Sequence, residues 1–177
     1  MINVKFQKLN ENAILPKKAT DGAAAYDLYT PDYCVVPKGR SVIKLAFAMA
    51  MPYGIQAIIE PRSGNSRKGF EAILCPYLLD NGMKDGGVSF AVHEFKEARI
   101  NPTRVDADIM NGKVDADYRG EVCVMINNRS GFCLLLDKHQ RIAQMTFQQV
   151  ENVDFEIVDE LDSTERGAGG FGHTGSK

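Results

Sequence analysis

Residues 166–177, Arg166-Gly167-Ala168-Gly169-Gly170-Phe171-Gly172-His173-Thr174-Gly175-Ser176-Lys177, hold five glycines, one arginine and one phenylalanine. They carry no apolar period and cannot build a helix, a strand or a core. Glycine lets backbone N–H groups approach an anion closely and lets the chain enter φ > 0. The planar fork of Arg166 suits phosphate. Phe171, between glycines, has nothing of its own to pack on but could close over a flat ring. Read for chemistry, the segment is a lid over a nucleotide. Read without it, the segment is a Gly/Ser tail of the kind that is usually disordered.

Four further segments place polar residues where a packed strand would not want them, and each has a plain reading beside the chemical one. In Asp21-Gly22-Ala23-Ala24-Ala25-Tyr26-Asp27-Leu28 the small residues permit close approach of another backbone. Asp27 either holds a water of a magnesium shell or caps a turn. Glu60-Pro61-Arg62-Ser63-Gly64-Asn65-Ser66 follows an apolar strand and delivers an arginine, a hydroxyl and glycine N–H groups. That is a phosphate cradle or an ordinary strand exit. In Asn111-Gly112-Lys113-Val114-Asp115-Ala116-Asp117-Tyr118-Arg119-Gly120, Val114 points inward on a hairpin and Asp115 takes the opposite face, with Tyr118 close by. A carboxylate there can accept a proton from water as a general base, or be part of a polar hairpin tip. In Gln140-Arg141-Ile142-Ala143-Gln144-Met145, Gln144 either donates to a phosphate oxygen or faces solvent.

The elements that must position these segments are short strands. Val4–Leu9, Tyr33–Val36, Ser41–Met51, Gly54–Glu60, Glu121–Asn127, Phe132–Leu136, Gln140–Val150 and Asp154–Val158 read as strands. Several alternate in the half-buried manner, as in Val122-Cys123-Val124-Met125-Ile126. Pro31, Pro37-Lys38-Gly39, Pro52-Tyr53-Gly54 and Asn128-Arg129-Ser130-Gly131 punctuate them as turns. No long segment of period 3.6 competes. Strands at this spacing predict an all-β barrel or jelly roll. Between about Gly69 and Asp108 the pattern is less regular: residues 79–87 read as a loop, and Val88–Phe95 alternates like an exposed hairpin strand.

With 177 residues, 44% of them apolar, one domain is the default. A net charge of −2 argues against non-specific binding to duplex nucleic acid, so an anionic ligand must be held by local arginines. No stretch approaches the roughly 20 apolar residues of a membrane span. Met1-Ile2-Asn3-Val4-Lys5 lacks a signal-peptide pattern, and the expectation is a cytoplasmic enzyme or binding protein. Cys34, Cys75, Cys123 and Cys133 form no Cys-x-x-Cys pair, and buried free thiols are expected rather than zinc ligands or disulfides.

Together and in this order, the five segments resemble the motifs of the trimeric deoxyuridine triphosphatases (dUTPases): Ala24-Ala25-Tyr26-Asp27-Leu28, Pro61-Arg62-Ser63-Gly64, Gly112 through Gly120, Arg141-Ile142-Ala143-Gln144, and Arg166 through Gly175. The resemblance implies a distorted jelly-roll β-barrel over residues 1–165 and a glycine-rich arm over 166–177. It also implies a homotrimer whose active sites are shared between subunits, and Mg²⁺-dependent hydrolysis of dUTP to dUMP and pyrophosphate. By the same resemblance Asp115 is the general base that deprotonates the attacking water. Tyr118 lies against the deoxyribose and excludes a 2′-hydroxyl, and the backbone around Gly112, Val114 and Asp115, with Asn111 beside it, meets the uracil edge. Arg62, Ser63, Gly64 and Gln144 bind the triphosphate, and Asp27 holds a water of the Mg²⁺ shell. Arg166 reaches the γ-phosphate, Phe171 stacks on uracil, and Thr174 with nearby N–H groups, at Gly172 and His173, grips the terminal phosphates; the His173 side chain either adds a second phosphate donor or is merely tolerated.

Three features depart from the family pattern. An insertion falls at about residues 71–105, between the second and third motifs. His173 stands where serine is common, and Lys138-His139-Gln140 replaces the usual Gly-Asp lead-in to the fourth motif. Two rival functions are a dCTP deaminase, which shares the family's fold but lacks an arm of this kind, and a nucleotide-gated interaction protein using the insertion.

Overall fold

The computed structural model of the chain describes residues 1–75, 92–93 and 100–170. Among these, all the strand pairings are antiparallel and the architecture is all-β, as the alternating pattern predicts. In chain order the elements are β1 (Lys5–Lys8), β2 (Tyr26–Tyr29), β3 (Cys34–Val36), β4 (Gly39–Lys44), β5 (Phe47–Ala50), β6 (Ile55–Glu60) and α1 (Ser63–Lys68). Then follow β7 (Phe70–Cys75), β8 (Thr103–Val105), β9 (Ala107–Met110), β10 (Gly112–Val114), β11 (Cys123–Asn128), β12 (Cys133–Leu136) and β13 (Arg141–Gln149). They form sheets in the orders β10-β6-β13-β2, β4-β11-β9 and β3-β12-β7-β8, with β1 paired to β5.

All four sheets face one core. Leu28, Val36, Phe47, Ile59, Phe70, Ile126, Leu134 and Ile142 come from eight different strands, and all are buried in the same cluster. Burying a side chain of this size is worth about 1.5–3 kcal/mol, so the sheets are held mainly by this shared interior. The continuous apolar run Cys133-Leu134-Leu135-Leu136 departs from strict alternation because β12 is buried on both faces. Leu134 and Leu136 face the main core, while Leu135 packs with Ile73 in a second cluster that Val92 helps to cover. Strands covered on both sides read as unbroken apolar runs.

Four sequence expectations need correction. Ser41–Met51 is two strands, because Leu45 and Ala46 turn a corner between β4 and β5. Ala46 sits at φ 59, its N–H bonded to the Glu121 carboxylate at 2.8 Å instead of a strand partner. The second motif, read as a phosphate cradle or a strand exit, begins a six-residue helix capped by Arg62, whose carbonyl accepts the N–H groups of Asn65 and Ser66 at 3.0 Å. The helix stops at Gly69, whose φ of 84 favours glycine, and a Cβ there would press against the Val105 carbonyl oxygen at 3.1 Å. Tyr26–Tyr29 is a strand, though its small-residue lead-in disguises it. Asp154–Val158 is not a strand, because nothing among the described residues lies beside it to complete a ladder. Phe155 and Ile157 are 87% and 98% exposed.

Val88–Phe95 lies outside the described residues except for Val92 and His93. All four cysteines are free thiols, Cys133 buried and the others partly so. No helix among the described residues is long and apolar enough to cross a membrane.

Candidate active site

Strand β6 organises the polar residues, because it pairs with β10 on one side and β13 on the other. β13 in turn pairs with β2, so Asp27, Gln144 and Glu60 stand in one row across three strands. Pro61 ends β6, and Arg62 turns back over this row. Its Nε donates to Asp27 Oδ1 at 2.8 Å, and Arg141 donates through a terminal nitrogen to Asp27 Oδ2 at 3.4 Å. The Asp27 side chain is only 10% exposed, whereas Arg62 and Arg141 are 26% and 51% exposed. A buried carboxylate thus holds two partly exposed arginines. Burying it alone would be costly, and the two cations compensate.

Beside this cluster lies a cavity of 320 Å³, lined in part by Ala24, Asp27, Arg62, Ser63, Gly64 and Gln144. A Cβ on Gly64 would meet nothing within 4 Å, so no packing inside the chain demands glycine there. Two residues of the site escape sequence reasoning. Arg141 reads as strand punctuation, and Thr146 as one more residue of its strand. Thr146 lines the cavity, and its Oγ1 is buried without a hydrogen-bond partner. A signal for it exists: Gln144 and Thr146 are two apart on a strand and share a face.

At the other end of β6 stands the hairpin. Val114 pairs with Ala57 and is buried, while Asp115 is exposed on the opposite face, as the alternation predicts. Asp115 lines a separate cavity of 180 Å³ with Gln56, Val150 and Asn152 among its neighbours. The Tyr118 N–H donates to the Asp115 carbonyl at 3.2 Å and closes the turn. Gly112 lies against Met125, whose Cε would be 3.2 Å from any Cβ, and Asn111 is exposed at the hairpin's base.

The two polar centres do not meet within one chain. Asp115 lies beside Gln56 and the cradle begins at Arg62. Along β6, Gln56 and the Glu60 of the cradle row are four residues apart, a rise of about 13 Å. Arg166 joins neither centre. Its Nε donates to the Gly169 carbonyl at 2.8 Å inside a turn that also ties Gly167 N–H to Thr164. Phe171, Gly172, His173 and Thr174 lie outside the described residues.

A family model described as dUTPase matches residues 11–106 and 105–175. The chain belongs to the dUTPase family. Among curated relatives, the deoxyuridine 5'-triphosphate nucleotidohydrolase of Solanum lycopersicum is 36% identical over 177 residues, covering 98% of this chain and 83% of that protein. The protein of the same name from Corynebacterium glutamicum is 33% identical, covering 97% and 94%. Among solved structures, the Staphylococcus bacteriophage 80alpha dUTPase with dUpNHpp superposes with a TM-score of 0.70 at 21% identity, covering 98% of each chain. A point mutant of the same phage dUTPase gives 0.71, also at 21% identity, covering 97% of this chain and 98% of that one. At this identity the structural likeness speaks for the dUTPase fold. The family assignment rests on the sequence matches.

Proposed function

We propose that this dUTPase hydrolyses dUTP to dUMP and pyrophosphate in sites shared between the subunits of a homotrimer. The observation that carries the reading is the cradle: Arg62, Ser63, Gly64 and Gln144 line one cavity, with Arg62 and Arg141 both held by Asp27. Arg62, Ser63, Gly64 and Gln144 bind the triphosphate there. Arg141, from the same cluster, adds a second cation. Asp115 orients and deprotonates the attacking water, which adds to the innermost phosphorus as pyrophosphate departs. Such chemistry depends mainly on positioning and charge stabilisation.

Mg²⁺ fits this donor set. Among the described residues no group of three or more acidic, histidine or cysteine side chains could form a protein cage. Mg²⁺ prefers to keep waters and take phosphate oxygens, and a single carboxylate such as Asp27 suffices to hold its hydration shell. When bound, the ion neutralises charge on the phosphate oxygens. The residues of the chain bind, orient and move the proton.

The separation of Asp115 from the cradle supports the shared site. A triphosphate is too short to join the two within one chain, so the phosphates facing one subunit's Asp115 are held by another subunit. The exposed apolar residues Val153, Phe155, Ile157 and Leu161 support the same assembly, because they stand in solvent within nine residues of chain, where another copy could cover them. One jelly-roll domain over 1–165, carrying the insertion at 71–105, delivers the arm 166–177 to a neighbour's site. There Arg166, Phe171, Gly172, His173 and Thr174 close over the nucleotide. Asn111, Gly112 and Val114 present the hairpin backbone to uracil, and Tyr118 lies against the deoxyribose.

Pyrophosphate release from dUTP, dCTP, dTTP and UTP, with and without Mg²⁺, tests the reaction. Turnover of dUTP alone is expected, and ammonia release from dCTP without dUTP turnover would overturn it. Mixing tests the sharing. Asp115→Asn and Arg62→Ala subunits, each inactive alone, recover activity when refolded together if each site draws on two chains. Failure to recover in verified mixed trimers would place the whole site in one subunit.

A further inference from the structure

Tyr118 is 45% exposed, yet its ring is not free. Its Oη donates to the Glu121 carbonyl at 3.0 Å, so the side chain folds back across the residue between them. That residue is Gly120. A Cβ built on it would stand 2.6 Å from Tyr118 Cζ and 3.0 Å from Cε2, and would overlap Oη as well. The ring therefore lies on bare backbone, in a place that any side chain at position 120 would occupy.

The acceptor is itself anchored. The Glu121 carboxylate accepts the Ala46 N–H at 2.8 Å through Oε1, and its Oε2 lies 3.5 Å from Lys44 Nζ. Ala46 holds the corner between β4 and β5 at φ 59. Two backbone bonds lock the same corner to the next residue: Leu45 N–H to the Val122 carbonyl at 3.1 Å, and Val122 N–H to the Phe47 carbonyl at 2.8 Å. On the other side, Arg119 donates to the carbonyls of Ala116 at 2.7 Å and Tyr118 at 2.8 Å, tightening the turn that carries Asp115. The ring is thus clamped from its hydroxyl, from beneath and through its own backbone.

We infer that Gly120 and Glu121 are positioning residues that fix the Tyr118 ring as a rigid wall and so set the preference for deoxyribose over ribose. The inference rests on the reading that Tyr118 faces the sugar. A wall excludes a hydroxyl by sterics only as far as it cannot yield. Contacts that reject an added hydroxyl without hydrogen-bonding it discriminate by only about 10²-fold even when well formed. A ring free to swing would give most of that away. Glycine at 120 supplies the seat and the anchored carbonyl supplies the latch.

The test is the ratio of kcat/KM for dUTP over UTP in full-length Gly120→Ala, Tyr118→Phe and Tyr118→Ala, with thermal melting to confirm folding. Gly120→Ala lifts the ring from its seat, and Tyr118→Phe removes the latch while keeping the ring. Each is expected to lower the ratio by about tenfold, chiefly through a gain with UTP. A merely structural lesion would depress both nucleotides alike and leave the ratio unmoved. Should Gly120→Ala fail to fold, Tyr118→Phe decides alone. If Tyr118→Ala lowers the ratio but the folded seat and latch variants do not, Gly120 and Glu121 have no such role. If Tyr118→Ala itself leaves the ratio unchanged, the placement of the sugar beside Tyr118 is wrong, and the inference falls with it.

Discussion

The two ends of β6 are built differently. At the Arg62 end, three strands in register and a helix cap bring Asp27, Gln144, Arg62 and Arg141 together, and the cluster is complete within one chain. At the Asp115 end, the carboxylate stands exposed beside a small open cavity, and residues 151–158 pair with no strand among the described residues, with Phe155 and Ile157 in solvent. One end is finished by local pairing; in the proposed trimer a second copy would complete the other. Changes at the first end should therefore register in both stability and binding. Changes at the second should register in turnover or assembly and leave the barrel's own stability nearly untouched.

The sharpest contrast is expected from Asp115→Asn. Removing a general base lowers turnover by about 10²–10⁴-fold. Because Asp115 is exposed, the melting temperature should stay within about 2 °C, as exposed substitutions usually shift stability by less than about 0.5 kcal/mol. Steady-state kinetics and calorimetry on the same preparation check both halves. A large loss of stability would show that the hairpin end is not the open, unfinished site described.

Next comes the double variant Phe155→Ser with Ile157→Ser. Each side chain would bury about 1.5–3 kcal/mol of apolar surface against a neighbour. Their joint loss should weaken subunit association by about 10²–10⁴-fold. Sedimentation across a concentration series should report a shift from about three subunits toward one, with turnover falling in parallel and far-UV dichroism unchanged. An unaltered trimer would mean that these residues are not what the second copy covers.

At the finished end, Asp27→Ala leaves two arginines facing each other without their carboxylate. Complete burial would make this cost about 3–5 kcal/mol. Both arginines reach solvent, which screens them, and about 2 kcal/mol is expected. In a chain of this size that lowers the melting temperature by about 4–8 °C. KM for dUTP should rise as well, since Arg62 and Arg141 lose their common anchor. A change in KM with no change in melting would mean that Asp27 serves the ligand alone and does not hold the cluster.

The same asymmetry explains what was legible in the sequence. The strands that pair within the chain announce themselves by alternation, and Val114 in with Asp115 out follows from period two alone. The five motif segments stand out because polar and glycine residues interrupt apolar strands. Asp154–Val158 misleads for a physical reason: its apolar alternation is real, but no strand of the described chain lies beside it. Ser41–Met51 misleads because its apolar residues run through a corner that Glu121 stabilises from 75 residues away. Arg141 stays hidden because an arginine at a strand edge reads as surface, and only the register of β13 with β2 puts it on Asp27. The seat beneath Tyr118 is invisible in the sequence, since Gly120 looks like one more turn glycine.

The smallest effect isolates the barrel from both ends of β6. Cys34 lies in β3, away from the cradle and the hairpin, and packs against the main core. Burial pushes its thiol up to about 12 from an ordinary 9.0. Burial, with Asp137 and Asp32 nearby, raises the Tyr33 hydroxyl too. A raised pKa on these acids means that the folded state keeps a proton which the unfolded state releases. The stabilisation is fully present below about pH 9 and is lost as pH climbs from there toward 12. By pH 10 the Cys34 share of that loss is about 1 kcal/mol, or about 2–4 °C. Calorimetry of wild-type and Cys34→Ala protein at about pH 8 and pH 10 should show the gap between them narrowing or reversing at the higher pH. The Asp115→Asn variant should lose stability with pH in parallel with wild type, because it leaves Cys34 and Tyr33 in place. A Cys34→Ala variant with an unaltered pH slope would mean that the thiol is not shielded by the core, and that the barrel is looser at this edge than its burial implies.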